Sequence, residues 1–407
     1  MTQPIIIIGA GLAGWSTARE FRKRDASTPL LLITADSGDF YAKPALSNAF
    51  AQGRSPAQLV STPAASMRAT QNVTLLAHTR VQAIHPGSRT ITTSQGEFSY
   101  SQLVLATGAQ PIRVPVVGNA ADQVLSINSL ADFSAFHARL TQARSDGQPA
   151  KQVLIMGAGL IGCEFANDLV ASGYRVTVVD PAPSPIAALL PPQASGQLRA
   201  ALAALGVVWH FGATVKSVDL APEAPPPTLQ VELSNGQKIL ADLVLSAIGL
   251  RADTTLAQAA GLACERGIVV DASLQTSQPH IYALGDSAQY ATGSWDAGAG
   301  VLAPDTPAVS GGRTLPYVMP IMNAARALAA TLAGARTELA FPLMPVLVKT
   351  PALPLVVAAP APGTPGDWHS VEPGIWQFID AQAQVRGFVL SGPQTSHRTE
   401  QAKQVRA

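Results

Sequence analysis

The sequence predicts an α/β protein with two dinucleotide-binding units and a smaller α+β part at its C-terminal end. The first observation is a glycine pattern that occurs twice, at Gly9–Gly14 and at Gly157–Gly162. Each copy follows a short apolar run, Ile5–Ile8 or Val153–Met156, and opens a segment with helical periodicity. The second observation is length, because 407 residues exceed one ordinary hydrophobic core. Two Rossmann-like domains are therefore expected.

The order of the elements predicts that the first domain is discontinuous. The buried run Leu103–Leu105 and the later run His280–Leu284 both read as strands of the first sheet. We therefore expect three domains, with these bounds: 1–112 together with 248–320, then 113–247, and finally 321–407.

Weaker patterns predict the remaining elements. After Asp180 the sequence favours a hairpin, whose strands around Thr214–Leu220 and Thr228–Leu233 flank the proline-rich loop Pro222–Pro227. A strand is predicted at Lys238–Ile248, a helix at Met319–Ala333 and strand-like structure over Pro345–Ala359. The Gly-, Ala-, Ser- and Pro-rich stretch Ala291–Thr314 is expected to be a mobile insertion.

Composition excludes several classes of function. The chain is 47% hydrophobic and 13% charged with a net charge of +1, so no global charge favours nucleic acid or an anionic membrane. No apolar run is long enough to span a bilayer, and no basic leader precedes the first strand. The two cysteines, Cys163 and Cys264, cannot form a disulfide framework and fit a reducing compartment. We therefore expect a cytoplasmic protein without stable membrane association.

Each glycine of the repeated pattern has a physical task. Gly9 permits the tight turn, Gly11 lets the backbone approach a pyrophosphate, and Gly14 lets helix and strand pack closely. Leu12 and Ala13 begin the helix, whose free N–H groups and positive dipole end attract phosphates. The second copy repeats these tasks with Gly157, Gly159 and Gly162.

An acid at the end of the next strand characterises the second unit. Asp180 lies 23 residues after Gly157 and closes the predicted strand Arg175–Val179. A carboxylate there would accept hydrogen bonds from ribose hydroxyls and repel a 2′-phosphate. No Arg or Lys lies between Asp180 and Gln197, which favours NADH over NADPH. A solvent-exposed acid without a ligand is the alternative.

Further motifs carry a resemblance to a known family. The doubled glycine pattern, Ala106-Thr107-Gly108 and Thr276–Asp286 together resemble the two-dinucleotide-binding-domain flavoproteins, whose fold is glutathione-reductase-like. Within these, the chain looks like the NADH-dependent rubredoxin reductases. That similarity rests on four shorter segments: Tyr41–Ser47, Gly159–Asp168, Tyr317–Pro320 and Val348–Pro351. It covers nearly the whole chain and departs chiefly at Ala291–Thr314.

The resemblance implies where FAD binds. It assigns the first glycine pattern to FAD and the second to NADH. The chain lacks an acid directly at the end of its second strand, where many such proteins bind the adenosine ribose, and Asp36 is the nearest candidate. In resembled proteins the aspartate of the Gly-Asp element bonds the ribityl chain, although a helix cap is the simpler alternative. The implied FAD residues beyond the glycine pattern are Thr34, Asp36, Ala106, Thr107, Gly108, Gly285 and Asp286.

The reactive centre is also assigned by resemblance. Lys43 is expected beside the flavin ring, where a cation would stabilise negative charge on the reduced ring. Glu164 is expected to pair with Lys43 and to help position the nicotinamide. Spacing alone would favour an exposed lysine and a helix-surface glutamate. Carried over as further flavin neighbours are Val81, Val318 and Lys349, and core positions are the alternative for the two valines.

The cysteine positions indicate how electrons leave the flavin. Disulfide reductases of the resembled superfamily carry a Cys-x4-Cys pair in the first helix, and other members carry one cysteine near the position of Lys43. This chain has no cysteine before Cys163, which we expect to be a small core residue. The histidines show no metal-ligand spacing, so no metal site is expected. Electrons would then pass directly to a docked protein.

The resemblance implies an NADH:rubredoxin reductase that uses FAD and NADH. Rubredoxin is the expected partner, with ferredoxin as the alternative acceptor. A ferredoxin or flavorubredoxin reductase would use the same chemistry. An NADH-sensing flavoprotein would use the same cofactors without rapid turnover, and a scaffold without chemistry is disfavoured by the two intact glycine patterns.

Overall fold

The computed structural model describes residues 3–142, 152–221, 229–290 and 312–406. The expected starting point of the second unit at Lys151, the proline-rich loop Pro222–Pro227 and residues 291–311 of the expected insertion lie outside these ranges. Short 3₁₀ helices occur at Lys43–Asn48, Pro56–Leu59, Ala121–Gln123, Gly285–Ser287 and Gly392–His397. The α-helices are α1 (Leu12–Arg22), α2 (Ala64–Thr70), α3 (Leu130–Thr141), α4 (Leu160–Ala171), α5 (Pro192–Ala204), α6 (Thr255–Ala259), α7 (Val318–Leu332) and α8 (Arg398–Gln404).

The strands alternate with these helices in the first two units and dominate the third. Up to residue 142 they are β1 (Ile5–Ile8), β2 (Leu30–Ile33), β3 (Thr74–Leu76), β4 (Val81–His85), β5 (Thr90–Thr93), β6 (Gly96–Ser99), β7 (Gln102–Leu105), β8 (Ala109–Pro111) and β9 (Leu125–Ser126). They continue with β10 (Gln152–Met156), β11 (Arg175–Asp180), β12 (Val208–Phe211), β13 (Val215–Leu220), β14 (Leu229–Leu233), β15 (Lys238–Ala241), β16 (Leu243–Ser246), β17 (Leu250–Ala252), β18 (Ile268–Val270), β19 (Ile281–Ala283) and β20 (Ala288–Tyr290). The last are β21 (Val346–Val348), β22 (Leu355–Ala358), β23 (Gly366–Glu372), β24 (Ile375–Asp380) and β25 (Val385–Ser391).

A five-stranded parallel sheet forms the first unit, in the order β19-β7-β1-β2-β3. Its central strand β1 is buried along its whole length, as expected for an unbroken apolar run with cover on both faces. The pairing of β19 with β7 confirms that a late segment of the chain returns to the first sheet. Helix α7 packs along α1 in the same core. It thus packs with the first unit, whereas the predicted division at residue 321 assigned it to the C-terminal part.

The second unit has its own parallel sheet, in the order β12-β11-β10-β16-β9. An antiparallel sheet of β13, β14 and β15 packs on one of its faces around Leu154, Val218 and Val244. The single strand predicted at Lys238–Ile248 is wrong, because the chain breaks at Asp242 and β15 and β16 belong to different sheets. Asp242 accepts a hydrogen bond from the Gln152 N–H, which holds this break at the start of β10.

The segment after Asp180 contains two elements that were not predicted. Before the hairpin, the chain forms α5, and β12 then adds to the edge of the parallel sheet. Proline and small residues conceal this helix in the sequence, because Pro192 starts it and several of its positions are Ala, Ser or Gly. The antiparallel pair expected here, β13 and β14, follows β12.

The third unit is a five-stranded antiparallel sheet, in the order β21-β22-β25-β24-β23. The strand-like stretch Pro345–Ala359 divides into β21 and β22 at a turn, where Thr350 Oγ1 donates to the Leu353 carbonyl. The apolar side of this sheet shares one core with the second unit, and Trp376 and Val389 pack with Phe136 and Phe165 there. The second and third units are therefore joined by continuous hydrophobic packing.

Candidate active site at the junction of the three units

The two glycine turns have matching geometry. A Cβ on Gly9 would lie 2.2 Å from the Ala106 carbonyl oxygen, and one on Gly14 would lie 1.9 Å from the Gly9 carbonyl oxygen. Around Gly11, in contrast, a Cβ would meet nothing within 4 Å. The first and third glycines are thus required by close packing of the protein, while the second faces open space that a phosphate could occupy.

The second turn repeats this division of roles. A Cβ on Gly157 would lie 2.6 Å from the Ala247 carbonyl oxygen, and one on Gly162 would lie 2.0 Å from the Gly157 carbonyl oxygen. The space around Gly159 is open to 4 Å. Each turn leads into the N-terminus of a helix, α1 or α4, which presents free N–H groups to an anion.

Asp180 lies beside the second turn, at the carboxyl end of β11. Its Oδ2 accepts a hydrogen bond of 2.6 Å from the Ala158 N–H, and its Oδ1 accepts one of 2.7 Å from the Ala182 N–H. The structure therefore brings this acid to the glycine turn, where it could meet the ribose of a dinucleotide. That role stays a prediction.

Thr34 and Asp36 occupy the corresponding place in the first unit. Thr34 is buried and donates to Asp36 Oδ1 at 2.6 Å, and the Gly38 N–H donates to the same oxygen. Asp36 itself is exposed beyond the end of β2. Trp15 of α1 donates to the Gly38 carbonyl, so the loop is fixed against the helix that begins at the first turn.

Asp286 supplies an observation that points to a ligand. Its Oδ1 is buried and receives no hydrogen bond from the described residues. Burial raises the pKa of this carboxyl, and the positive charge of Lys43 opposes that rise. The neighbouring Gly285 approaches α1 so closely that a Cβ there would lie 2.9 Å from Ala13 Cβ. A buried acceptor of this kind fits a hydroxyl-bearing ligand, such as the ribityl chain of FAD.

Lys43 begins the 3₁₀ helix Lys43–Asn48, and its side chain bonds to the residue that precedes the cap of α3. Its Nζ donates to Asn128 Oδ1 at 3.1 Å, and Asn128 Nδ2 donates to the Ala109 carbonyl at 2.7 Å. The surrounding protein lowers the pKa of Lys43 by desolvation, and the carboxylates of Asp286, Asp132 and Asp36 oppose this effect. Asn128 thus links the ammonium to Ala109 in the strand that follows Gly108, and the charges of Lys43 and Asp286 act on each other.

Glu164 does not pair with Lys43, and this prediction is wrong. The glutamate is only 3% exposed, and its Oε2 lies 2.8 Å from Lys349 Nζ. Its Oε1 accepts the Lys349 backbone N–H at 3.0 Å, and Ser47 Oγ donates to Oε2 at 2.5 Å. Lys349 reaches it because β21 ends there, and the same ammonium also donates to the Pro44 carbonyl.

The remaining predicted residues are more dispersed. Ala106 is packed against Gly9, and Thr107 Oγ1 donates to the Asp253 carbonyl at 3.0 Å. Val81 is half-buried on the first core, as its alternative assignment foresaw, while Val318 is exposed at the start of α7. The expected positions of both valines beside the flavin stay predictions.

Three residues that join the site were not singled out from the sequence: Ser47, Asn128 and Asp168. Ser47 and Asp168 lie within segments that carry the family resemblance, but nothing in their spacing reveals their partners. Asn128 precedes Ser129, which caps α3 in a reciprocal pair of bonds with Asp132. That capping pattern was the available signal for a helix start near Lys43.

The cysteines offer no redox partner near Lys43. Cys163 is buried in the core of the second unit, and burial raises the pKa of its thiol. Cys264 is half-buried and unpaired as a disulfide. Among the described residues, no group of three His, Cys, Asp or Glu side chains could hold a metal ion. In the same ranges no helix is long and apolar enough to cross a membrane.

Two glycine-turn units, a buried acceptor and a covering antiparallel sheet define a protein that binds FAD and a nicotinamide dinucleotide for redox chemistry. The chain belongs to the pyridine nucleotide-disulphide oxidoreductase family, whose pattern matches residues 3–301. Residues 338–405 match the rubredoxin-binding C-terminal domain.

Curated relatives match over nearly the full length. The chain is 39% identical over 407 residues to the rubredoxin-NAD(+) reductase of Alcanivorax borkumensis, which covers 99% of each chain. It is 40% identical over 396 residues to the enzyme of the same name from Acinetobacter baylyi, covering 96% of this chain and 94% of that one. It is also 40% identical over 399 residues to the nitric oxide reductase FlRd-NAD(+) reductase of Aeromonas salmonicida, covering 97% and 95%.

Solved structures share the fold. The ferredoxin reductase for the CYP199A2 system from Rhodopseudomonas palustris is 26% identical, with a TM-score of 0.82, and the match covers 100% of this chain and 96% of that one. The reductase in the covalent putidaredoxin reductase–putidaredoxin complex is 23% identical, with a TM-score of 0.83 over 99% and 93% of the chains. The latter likeness concerns the fold alone.

Proposed function

We propose that this chain is a cytoplasmic, FAD-dependent NADH:rubredoxin reductase. The observation that carries the proposal is the junction at Glu164 and Lys349. There a helix from the nicotinamide unit, the Lys43–Asn48 segment of the flavin unit and the end of the first strand of the rubredoxin-binding domain meet around the ion pair of buried Glu164 with half-buried Lys349. A protein that moves electrons from a dinucleotide to a docked carrier needs these three parts held together.

The geometry supports the following residues for each cofactor. FAD would be held by the turn Gly9–Gly14, by Asp286 through its unpartnered oxygen, and by Lys43. NADH would be held by the turn Gly157–Gly162 and by Asp180. When bound, FAD supplies the chemistry that links a two-electron hydride donor to a one-electron acceptor.

The chain's own groups orient and stabilise rather than react covalently. The ammonium of Lys43 places positive charge where negative charge would develop on reduction. Lys349 holds the Pro44 carbonyl, so it fixes the residue that follows Lys43. The site contains no low-pKa thiol, which supports direct transfer from flavin to a partner protein.

Stopped-flow measurements test the proposal. The FAD-loaded protein is mixed with NADH under anaerobic conditions and then with rubredoxin, flavorubredoxin or ferredoxin. We expect rapid flavin reduction and rapid reoxidation by rubredoxin. Turnover only with ferredoxin would reject rubredoxin as the acceptor, and slow reoxidation by every carrier would favour an NADH sensor.

Flavorubredoxin is the second candidate acceptor, because relatives at 40% identity are flavorubredoxin reductases by name. The same carrier panel separates the two. A kcat/KM for a flavorubredoxin at least tenfold above that for free rubredoxin would establish the second candidate.

A further inference from the structure

Besides Glu164, helix α4 carries two more buried polar side chains that bond outside their own unit. Asn167 and Asp168 are both 2% exposed, although they lie on a helix whose other buried residues are mainly apolar. Asn167 Oδ1 accepts the backbone N–H of Ala352, in the turn after β21. Burying such groups is costly unless each polar atom has a partner, so their placement calls for an explanation.

Asp168 uses both carboxylate oxygens on one neighbouring segment. Its Oδ1 accepts the Ala51 N–H at 2.8 Å, and its Oδ2 accepts the Phe50 N–H at 3.0 Å. These N–H groups lie two and three residues beyond the end of the 3₁₀ helix Lys43–Asn48. Burial raises the pKa of Asp168, and the backbone N–H groups and Lys349 counteract that rise.

The ring of Phe50 makes a second set of contacts for the segment that follows the 3₁₀ helix. Its ring stacks on His137 at a centroid distance of 5.4 Å and lies 5.3 Å from the ring of Phe133. It also meets Tyr174, which follows α4, edge-on at 6.2 Å. The segment is therefore fixed to α4 through its backbone, and to α3 and Tyr174 through the ring of Phe50.

We propose that Asp168 is a positioning residue that sets the distance between the nicotinamide unit and Lys43. The inference rests on the proposed function. Asp168 lies about 12 Å along a rigid helix from Leu160, where the second glycine turn ends. Its carboxylate accepts the N–H groups of Phe50 and Ala51, two and three residues beyond the end of the short helix that Lys43 begins. Helix α4 therefore links the two cofactor sites, with Asp168 bonded behind this short helix and Glu164 bonded to it through Ser47.

The test compares Asp168→Asn with Asp380→Asn in the full-length, FAD-loaded protein. Asp380 is a matched control, because it is also buried and also binds backbone N–H groups, those of Gln382 and Gln384, but entirely within the third unit. Three quantities are measured: the flavin reduction rate at saturating NADH, the dissociation constant for NADH, and hydrogen exchange of the peptide that contains residues 46–52.

For Asp168→Asn we expect flavin reduction to slow by about 10- to 100-fold, because small displacements of reacting groups have effects of this size. Exchange of the 46–52 peptide should rise, while NADH affinity stays within about twofold, since the glycine turn and Asp180 remain. Asp380→Asn should lower thermal stability and leave flavin reduction unchanged. Asp168→Glu displaces the carboxylate without removing it and should also slow flavin reduction. It serves as the test if the Asn variant fails to fold.

The proposal is overturned if Asp168→Asn and Asp168→Glu reduce flavin at the wild-type rate, or if Asp380→Asn slows reduction equally. Failure of the proposed function is seen separately. In that case the wild-type protein would be reduced by NADH but would not pass electrons to rubredoxin. The Asp168 variants would still be compared by their rates of flavin reduction, which do not involve rubredoxin.

Discussion

At the scale of single residues, Asp286 shows how a buried oxygen without a hydrogen-bond donor indicates a ligand site. Buried carboxylate oxygens almost always have donors, and Oδ1 of Asp286 has none among the described residues. A sequence motif can suggest such a residue, but only the structure shows that one of its oxygens lacks a partner.

Asp286→Ala should abolish stable FAD binding while leaving the apoprotein at least as thermally stable as the wild type. The variant removes an acceptor for the ligand and also a buried group whose burial is unfavourable. FAD content per chain and apoprotein melting check both parts. Asp271→Ala is the control, since Asp271 accepts N–H groups of a turn in the same unit and should lower stability without changing FAD content. Full FAD occupancy in Asp286→Ala would contradict the prediction.

Lys349→Met should lower the free energy of unfolding by about 2 kcal/mol, because it leaves Glu164 buried without its cation. The value is set below the usual cost of such a break because the lysine side chain is 35% exposed. Urea unfolding of the holoprotein measures it. Adding Glu164→Gln should recover much of the loss, and a double variant that is destabilised by the full sum would show that the pair is not coupled.

Asp180→Ala combined with Ala182→Arg should raise the NADPH-to-NADH ratio of kcat/KM by at least about tenfold. Removing the carboxylate ends its repulsion of a 2′-phosphate, and the arginine adds a partner for it. Steady-state kinetics with both nucleotides provide the measurement. Asp180→Asn keeps the shape of the side chain and isolates the effect of charge. If the double variant keeps the wild-type preference for NADH over NADPH, Asp180 does not bind the nucleotide ribose.

At the scale of elements, helix α7 completes the first unit. Its small residues, among them Ala324 and Ala325, are fully buried against α1. The sequence predicted this helix within one residue at each end, because its apolar periodicity is strong. Periodicity cannot state which neighbour an apolar face meets, so the domain to which α7 packs was missed.

Ala324→Leu should destabilise the protein by about 1–3 kcal/mol, since the added atoms have no space between α7 and α1. Arg326→Leu on the exposed side of α7 is the matched control and should change stability little. Thermal unfolding and FAD content report both variants. Equal stability of the two variants would show that α7 can move away from α1 without cost.

A sequence pattern does not state which distant residues meet, and this decides which parts of the site the sequence could predict. The glycine turns depend on local backbone geometry, and the close packing at the first and third glycine of each turn matches its prediction, while phosphate binding at the second stays a prediction. Lys43, Glu164 and Lys349 could be named as neighbours by resemblance. That Glu164 pairs with Lys349 could not be predicted, because the two residues are 185 positions apart and meet only where β21 ends beside α4.

At the scale of the whole molecule, the third unit brings an exposed apolar edge to the junction. Leu347 lies on the outermost strand β21, two residues before Lys349, and is 53% exposed. Residue 347 falls within the part that matches a rubredoxin-binding domain. We therefore expect this edge to meet the electron carrier.

Leu347→Asp should raise the KM for rubredoxin about tenfold or more, because a charge in the centre of an apolar contact is left desolvated. Flavin reduction by NADH should be unchanged. Leu240→Asp is the control, as Leu240 is similarly exposed, at 47%, on the antiparallel sheet of the second unit. Equal KM values for the two variants would place the contact elsewhere.

The polar face of α4 also bears on protein engineering. Its three side chains Glu164, Asn167 and Asp168 bond to two stretches of chain outside the nicotinamide unit, residues 47–51 and residues 349–352. A chimaera that grafts this unit onto a foreign flavoprotein would therefore need matching acceptor and donor positions on two other domains. Cofactor preference is then easier to change by editing the Asp180 loop in place than by exchanging the domain.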